Sequence, residues 1–188
     1  MLAPPAVAFA SFVLAIHILA VVVAFGATFA YPLIFAAARR ADPSVMPWLW
    51  SLLQRIDRYL INPGLGVVVL AGIYLASSEH HWGSFFVAWG IGVAIVIGAA
   101  VGSFTIPRYG RLAELAERDL AAAGAGFASG GVAAPGAGAG PGAGPGAGGA
   151  VAWSAEYEKL VKQVAIVGAI LDLLVVITVF VMATHAGT

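Results

Sequence analysis

The chain has 188 residues, 61% hydrophobic and 10% charged, with a formal net charge of zero and a mean hydropathy of +0.97. Soluble domains carry about 25% charged residues, so the composition argues against a water-soluble fold and for one read against a bilayer. With no cysteine in the sequence, disulfides, thiolate metal sites, iron–sulfur clusters and cysteine nucleophiles are excluded, and without a long basic run nucleic acid is not an expected partner.

The first apolar stretch runs from Val7 to Phe35, longer than the ~20 residues that cross a bilayer, and His17 is its only ionisable residue. It lacks the basic start and the short apolar region of a secretory signal, so it is read as a retained anchor. Tyr31-Pro32 is the expected kink near its end, because proline removes a helix hydrogen bond, and Arg39-Arg40 stops the span. Asp42-Pro43-Ser44 then signals a turn and a helix start. The following Trp48, Leu49, Leu52, Leu53, Ile56 and Leu60 recur at helical spacing, which predicts an amphipathic interfacial helix.

Asn62-Pro63 is the expected helix start of a second span, taken as 58–78 because Arg58 can snorkel to the headgroups. A third span is expected over 84–106, closed by Pro107-Arg108, with a helical extension in which Glu114 and Arg118 form an i,i+4 pair. From 121 to 152 the sequence reduces to Gly, Ala and Pro, a composition that buries no core and predicts a disordered linker. Ser154 is the expected N-cap of the last helix, with a fourth span over 160–184.

Four Lys/Arg lie between spans one and two and five between spans three and four. The positive-inside rule makes both connections cytoplasmic and both termini external. The predicted fold is therefore all-α: one membrane domain, a four-helix transmembrane bundle with a linker before the last helix.

Two ionisable groups sit deep in apolar helix, His17 and Asp172. Helical rise puts each roughly 15 Å from the outer end of its span, and small neighbours (Ala20, Ala24; Gly168) turn both inward. An intramembrane acid is a functional group by default, so one reading is an interior His17/Asp172 site that holds or passes a proton, cation or small ligand. The other is a packing role for both. His17 also suits the axial position of a haem b, although without a second intramembrane histidine any such site is five-coordinate or intersubunit.

Near the outer face, His80, His81, Met182 and His185 offer imidazole and thioether ligands for a metal, against the plainer reading of a solvated turn. Gly90, Ala94, Gly98 and Gly102 form a strip at i+4 spacing suited to close packing against a helix of the same chain or of a second copy. Gly64 and Gly66 lack the Lys and Ser/Thr of a phosphate loop, so no nucleotide is expected, and no hydrolase motif appears.

The runs AIHILAVVVAFGATFAYPLIF, NPGLGVVVLAGIYLAS and LDLLVVITVFVMATH, with a third span closed by Pro107-Arg108, resemble a family of bacterial integral membrane proteins of uncharacterised function. More distantly, the His-led first helix is similar to the copper-resistance D proteins and the HemJ-type protoporphyrinogen oxidases. In that group a Trp-Phe-Gly-Gly run follows the histidine; here Phe25 and Gly26 match and Ala24 and Ala27 differ. The resemblance implies a four-span protein of the bacterial cytoplasmic membrane, with a haem-dependent oxidoreductase as the rival to a non-enzymatic component and a structural or assembly subunit as the third reading.

Overall fold

A computed structural model describes residues 5–40, 42–78, 80–129 and 151–185. Among them the chain is helical with no strand, and four helical stretches are long and apolar enough to cross a membrane: Phe9–Ala38, Pro43–Ser78, Phe85–Gly124 and Ala155–Thr184. This is the architecture of a multi-pass membrane protein. Large apolar side chains such as Phe12, Leu33, Leu70, Ile95 and Phe180 cover its outside, a surface suited to lipid and not to water.

Each of the first three stretches is interrupted just before or at a proline. Helix α1 (Pro5–Gly26) passes through a 3-10 turn at Thr28–Ala30 into α2 (Tyr31–Ala38), which carries Pro32 in its first turn. Helix α3 (Met46–Ile56) widens into a π-helical turn at Asp57–Ile61 before α4 (Asn62–Ser78), with Pro63 directly after. Helix α5 (Phe85–Ala99) widens likewise at Ala100–Thr105 before α6 (Ile106–Ser129), with Pro107 directly after. The last, α7 (Ala155–His185), is unbroken. Proline has no N–H and its ring crowds the carbonyl four residues back, so the helix shifts to another hydrogen-bond pattern.

Three expected boundaries are thereby corrected. Neither Asn62-Pro63 nor Pro107-Arg108 starts or stops a helix; the chain runs through both, because a π turn absorbs the missing hydrogen bond. Helix α6 also continues to Ser129, into the segment read as linker; 130–150 lie outside the described residues. Asp42 caps its turn as expected, accepting from the Ser44 N–H at 2.8 Å, and Ser154 caps α7 by accepting from the Tyr157 N–H at 3.3 Å. The Ser44 N–H holds the Asp42 carboxyl below the usual carboxylate range.

The tightest core lies at the charged end. Trp50 and Leu112 are 0% exposed, and around them pack Leu49, Leu53, Leu115 and Tyr157. Trp50 donates to the Tyr157 hydroxyl at 3.0 Å, and its ring lies 4.5 Å from Phe35 and 5.6 Å from Tyr109. One indole thus ties α2, α3, α6 and α7 together. The interfacial stripe is corrected accordingly: the buried face of α3 carries Met46, Leu49, Trp50 and Leu53, while Trp48 is 63% exposed. Polar contacts close this end. The Asp119 carboxylate accepts from the Ser154 N–H at 2.8 Å, and Arg111 bridges Glu114 and Glu156 at 3.2 and 3.0 Å. Glu114 therefore pairs with Arg111, one turn back, instead of Arg118, which reaches Asp119 and Glu156 across to α7.

A second core runs through the apolar part, and glycines set its spacing. A Cβ on Gly64 would stand 2.7 Å from the Cβ of Ala24, so the backbones of α1 and α4 touch there. In the i+4 strip, Gly90 meets the Met182 methyl and Gly98 the Leu65 side chain, and Ala94 packs on the same core. Gly102 faces open space, because the π turn between it and Gly98 rotates it off the strip, and Gly168 likewise has nothing near its missing side chain. Gly64→Ala should destabilise the protein by about 1–3 kcal/mol, since neither Cβ can rotate away. Adding Ala24→Gly should restore most of the loss, and Gly102→Ala should be neutral; thermal unfolding in detergent measures all three.

Candidate functional site

The three proline-linked turns meet at one level. Thr28 of the 3-10 turn, Ile61 of the first π turn and Val101 of the second line a small cavity of about 30 Å³, and Asp172 of α7 completes it. Just toward the charged end, the Tyr31 hydroxyl donates to Asp57 at 3.1 Å. Asp57 is only 2% exposed, and both carboxylates lie within electrostatic range of the Tyr31 and Tyr109 hydroxyls. Among the described residues, no lysine or arginine forms an ion pair with either acid; the ion pairs present join Arg111 and Arg118 to Glu114, Asp119 and Glu156.

Thr28 ties Asp172 to the end of α1. The Thr28 Oγ1 lies 2.8 Å from the Phe25 carbonyl oxygen and 2.6 Å from an Asp172 carboxyl oxygen. A hydroxyl has one proton and a carbonyl can only accept. The single Thr28 O–H is thus shared between two acceptors, one at the end of α1 and one on α7.

His17 occupies a different level. Its Nδ1 donates to the Val68 carbonyl at 3.0 Å, which assigns the proton to Nδ1 and leaves the Nε2 lone pair free in the neutral ring. Gly72 makes this possible: it presents no side chain, and an added Cβ would stand 3.3 Å from the His17 ring. Around His17 is a cavity of about 60 Å³, lined by Val21, Gly90, Val179 and Met182 among others.

His17 and Asp172 therefore both face the interior, yet they do not pair. Level with His17 on α7 stands Met182, ten residues and roughly 15 Å along from Asp172. The depth match expected from the sequence assumed that the helices protrude equally. Instead Thr28 is the α1 residue that meets Asp172, while His17 shares its surroundings with Met182, so equal counts from the two ends mark different levels. Asp57, Tyr31 and Thr28 were missed because Asp57 lies in Arg55-Ile56-Asp57-Arg58 and reads as part of a solvated face. The signal was its register: Asp57 stands seven residues from Trp50 and four from Leu53, on the buried face.

The expected metal and haem sites fare differently. Met182 turns into the bundle against Gly90, and His80 is exposed with a left-handed backbone (φ 59°) that reverses the chain between α4 and α5. The side chains of His81 and His185 lie outside the described residues. Within a single chain the space at His17 is too small to enclose a haem, since cavities for cofactor-sized ligands begin at about 300 Å³ and this one is about 60 Å³. Thr28→Val should lower stability by about 1–3 kcal/mol, because it strips a partner from a buried carbonyl and a carboxyl at once. Thr28→Ser should retain wild-type stability, as read by thermal unfolding.

Comparison with protein-family models, with curated proteins and with solved structures finds no match to this chain.

Proposed function

We propose that this multi-pass protein is a proton-binding component of a bacterial cytoplasmic membrane, and that Asp172, supported by Thr28, Tyr31 and Asp57, is the group that takes up and releases the proton. One observation carries the reading: the Thr28 hydroxyl stands within bonding distance of both an obligate acceptor and the Asp172 carboxyl, a geometry completed by a proton on the acid. The surroundings support it. Two acids with no cationic partner among the described residues, one of them 2% exposed, are expensive in an apolar bundle if both are charged. Neutral acids remove that cost, and a reversible proton is then the simplest cargo. On this reading the interior site is Asp172 with Asp57, and His17 stands apart from it.

The test uses dicyclohexylcarbodiimide, which modifies protonated carboxyls in apolar surroundings. Modification of Asp172 in membranes at neutral pH, found by mass spectrometry and lost in Asp172→Asn, is the expected result. An unmodified Asp172 throughout the neutral range overturns the reading. Retention of the cellular phenotype by Asp172→Asn and Asp57→Asn, with only thermal stability reduced, assigns both acids to packing.

The nine Lys/Arg gather at the end where α2, α3, α6 and α7 meet, which by the positive-inside rule faces the cytoplasm. Because the chain has no native cysteine, single cysteines report the orientation cleanly. In intact cells Ser78→Cys should react with an impermeant maleimide and Arg40→Cys should not.

A further inference from the structure

We infer that Arg108, with Lys159 beside it, holds the headgroup phosphate of an anionic phospholipid in the leaflet at the charged end of the bundle. Nothing in this site depends on the proton-binding reading.

Arg108 stands where its span leaves the hydrocarbon. Counted from Phe85 at the uncharged end, Phe104 lies roughly 28 Å and Arg108 roughly 35 Å along, against a hydrocarbon thickness of ~30 Å. An arginine at that height ordinarily extends outward to water. This one bends back: its Cζ lies 3.4 Å from the centroid of the Phe104 ring, and its Nη1 donates to the Phe104 carbonyl at 3.2 Å. The reach follows from the helix, whose side chains lean toward its N-terminus, here the membrane side. A full charge is thereby fixed at the hydrocarbon edge, the depth that lipid phosphates border.

The protein leaves that charge incompletely met. The Arg108 Nε is buried with no hydrogen-bond partner, and among the described residues the guanidinium forms no ion pair. The acids nearest in register are committed elsewhere, Glu114 and Glu156 to Arg111 and Asp119 to Arg118. A half-buried cation without a counter-charge is costly, and a planar fork already stacked on a ring matches the oxygens of a phosphate.

A second cation stands beside it. Helices α6 and α7 run antiparallel, and the Arg111–Glu156 bridge at 3.0 Å fixes their register. One turn toward the membrane from that bridge come Arg108 on α6 and Lys159 on α7. Lys159 is exposed and forms no ion pair among the described residues, and Glu158, next to it in sequence, points roughly 100° away around the helix. Two positive charges therefore meet at the height of the headgroups. A zwitterionic lipid brings a phosphate but offsets it with its own ammonium, so the arrangement favours a lipid of net negative charge.

Native mass spectrometry of the full-length protein in detergent, given phosphatidylglycerol and phosphatidylcholine in equal amounts with the same acyl chains, counts the lipid retained. Wild type should keep mainly phosphatidylglycerol. Arg108→Gln should lower the ratio of the two at least about fivefold, the weight of one cation at the headgroup surface. Lys159→Gln should lower it as well, whereas Arg40→Gln, which removes an equal charge beyond the end of α2, should leave it unchanged. Equal retention of both lipids by wild type overturns the site, as does an unchanged ratio in Arg108→Gln or an equal fall in Arg40→Gln. If Arg108→Gln does not fold, the exposed Lys159→Gln is scored by the same outcomes. Inorganic phosphate distinguishes a lipid from a free anion: phosphatidylglycerol that stays bound against a large excess of phosphate supports the lipid site, and its displacement overturns it.

Discussion

Three missing N–H groups shape the molecule. Pro32, Pro63 and Pro107 each withhold a hydrogen bond inside a helix that must satisfy its own backbone, because lipid offers no substitute. The chain answers twice by widening to a π turn: the Asn62 N–H reaches back to the Asp57 carbonyl and the Ile106 N–H to the Val101 carbonyl, each across five residues. In the first span it answers by tightening to a 3-10 turn. Since the up-and-down helices bring all three irregularities to one level, the bundle has a seam there.

Polar groups concentrate along that seam because regular helices pack too closely to admit them. The π turn delivers Asp57 to the Tyr31 hydroxyl, and the 3-10 turn delivers Thr28 to Asp172. On one side of the seam the aromatic cluster about Trp50 locks four helices; on the other, Phe25, Ile97 and Val175 close the apolar core. The polar layer is thus held between two well-packed regions, and its geometry is that of a site fixed from outside itself.

Much of the fold was legible in the sequence. Length and apolar runs gave the four spans, and the alternation of Lys/Arg-bearing connections with one that has neither gave their up-and-down order. Asp42 and Ser154 announced their own caps. The prolines were visible, and Tyr31-Pro32 was read as the kink it is, but Pro63 and Pro107 were read as boundaries, because local rules say that proline ends a helix while tertiary packing decides whether the chain passes through. Asp57 was hidden by its neighbours: Arg55 and Arg58 made it look solvated, whereas Tyr31 of α2 and Tyr109 of α6 stand beside it in the folded bundle. The level of Asp172 against His17 could not be read either, since the offset between two helices is set by side chains such as Met182 against Gly90 that only meet in the folded bundle.

The contacts at the foot of α7 carry a consequence for how this sequence can change. Trp50 on Tyr157, Asp119 on the Ser154 N–H and Arg111 on Glu156 set the height and rotation of the last helix by direct side-chain fit to α3 and α6. The position of Asp172 is therefore set from a distance: a change at Trp50, Asp119 or Arg111 moves the acid without touching it.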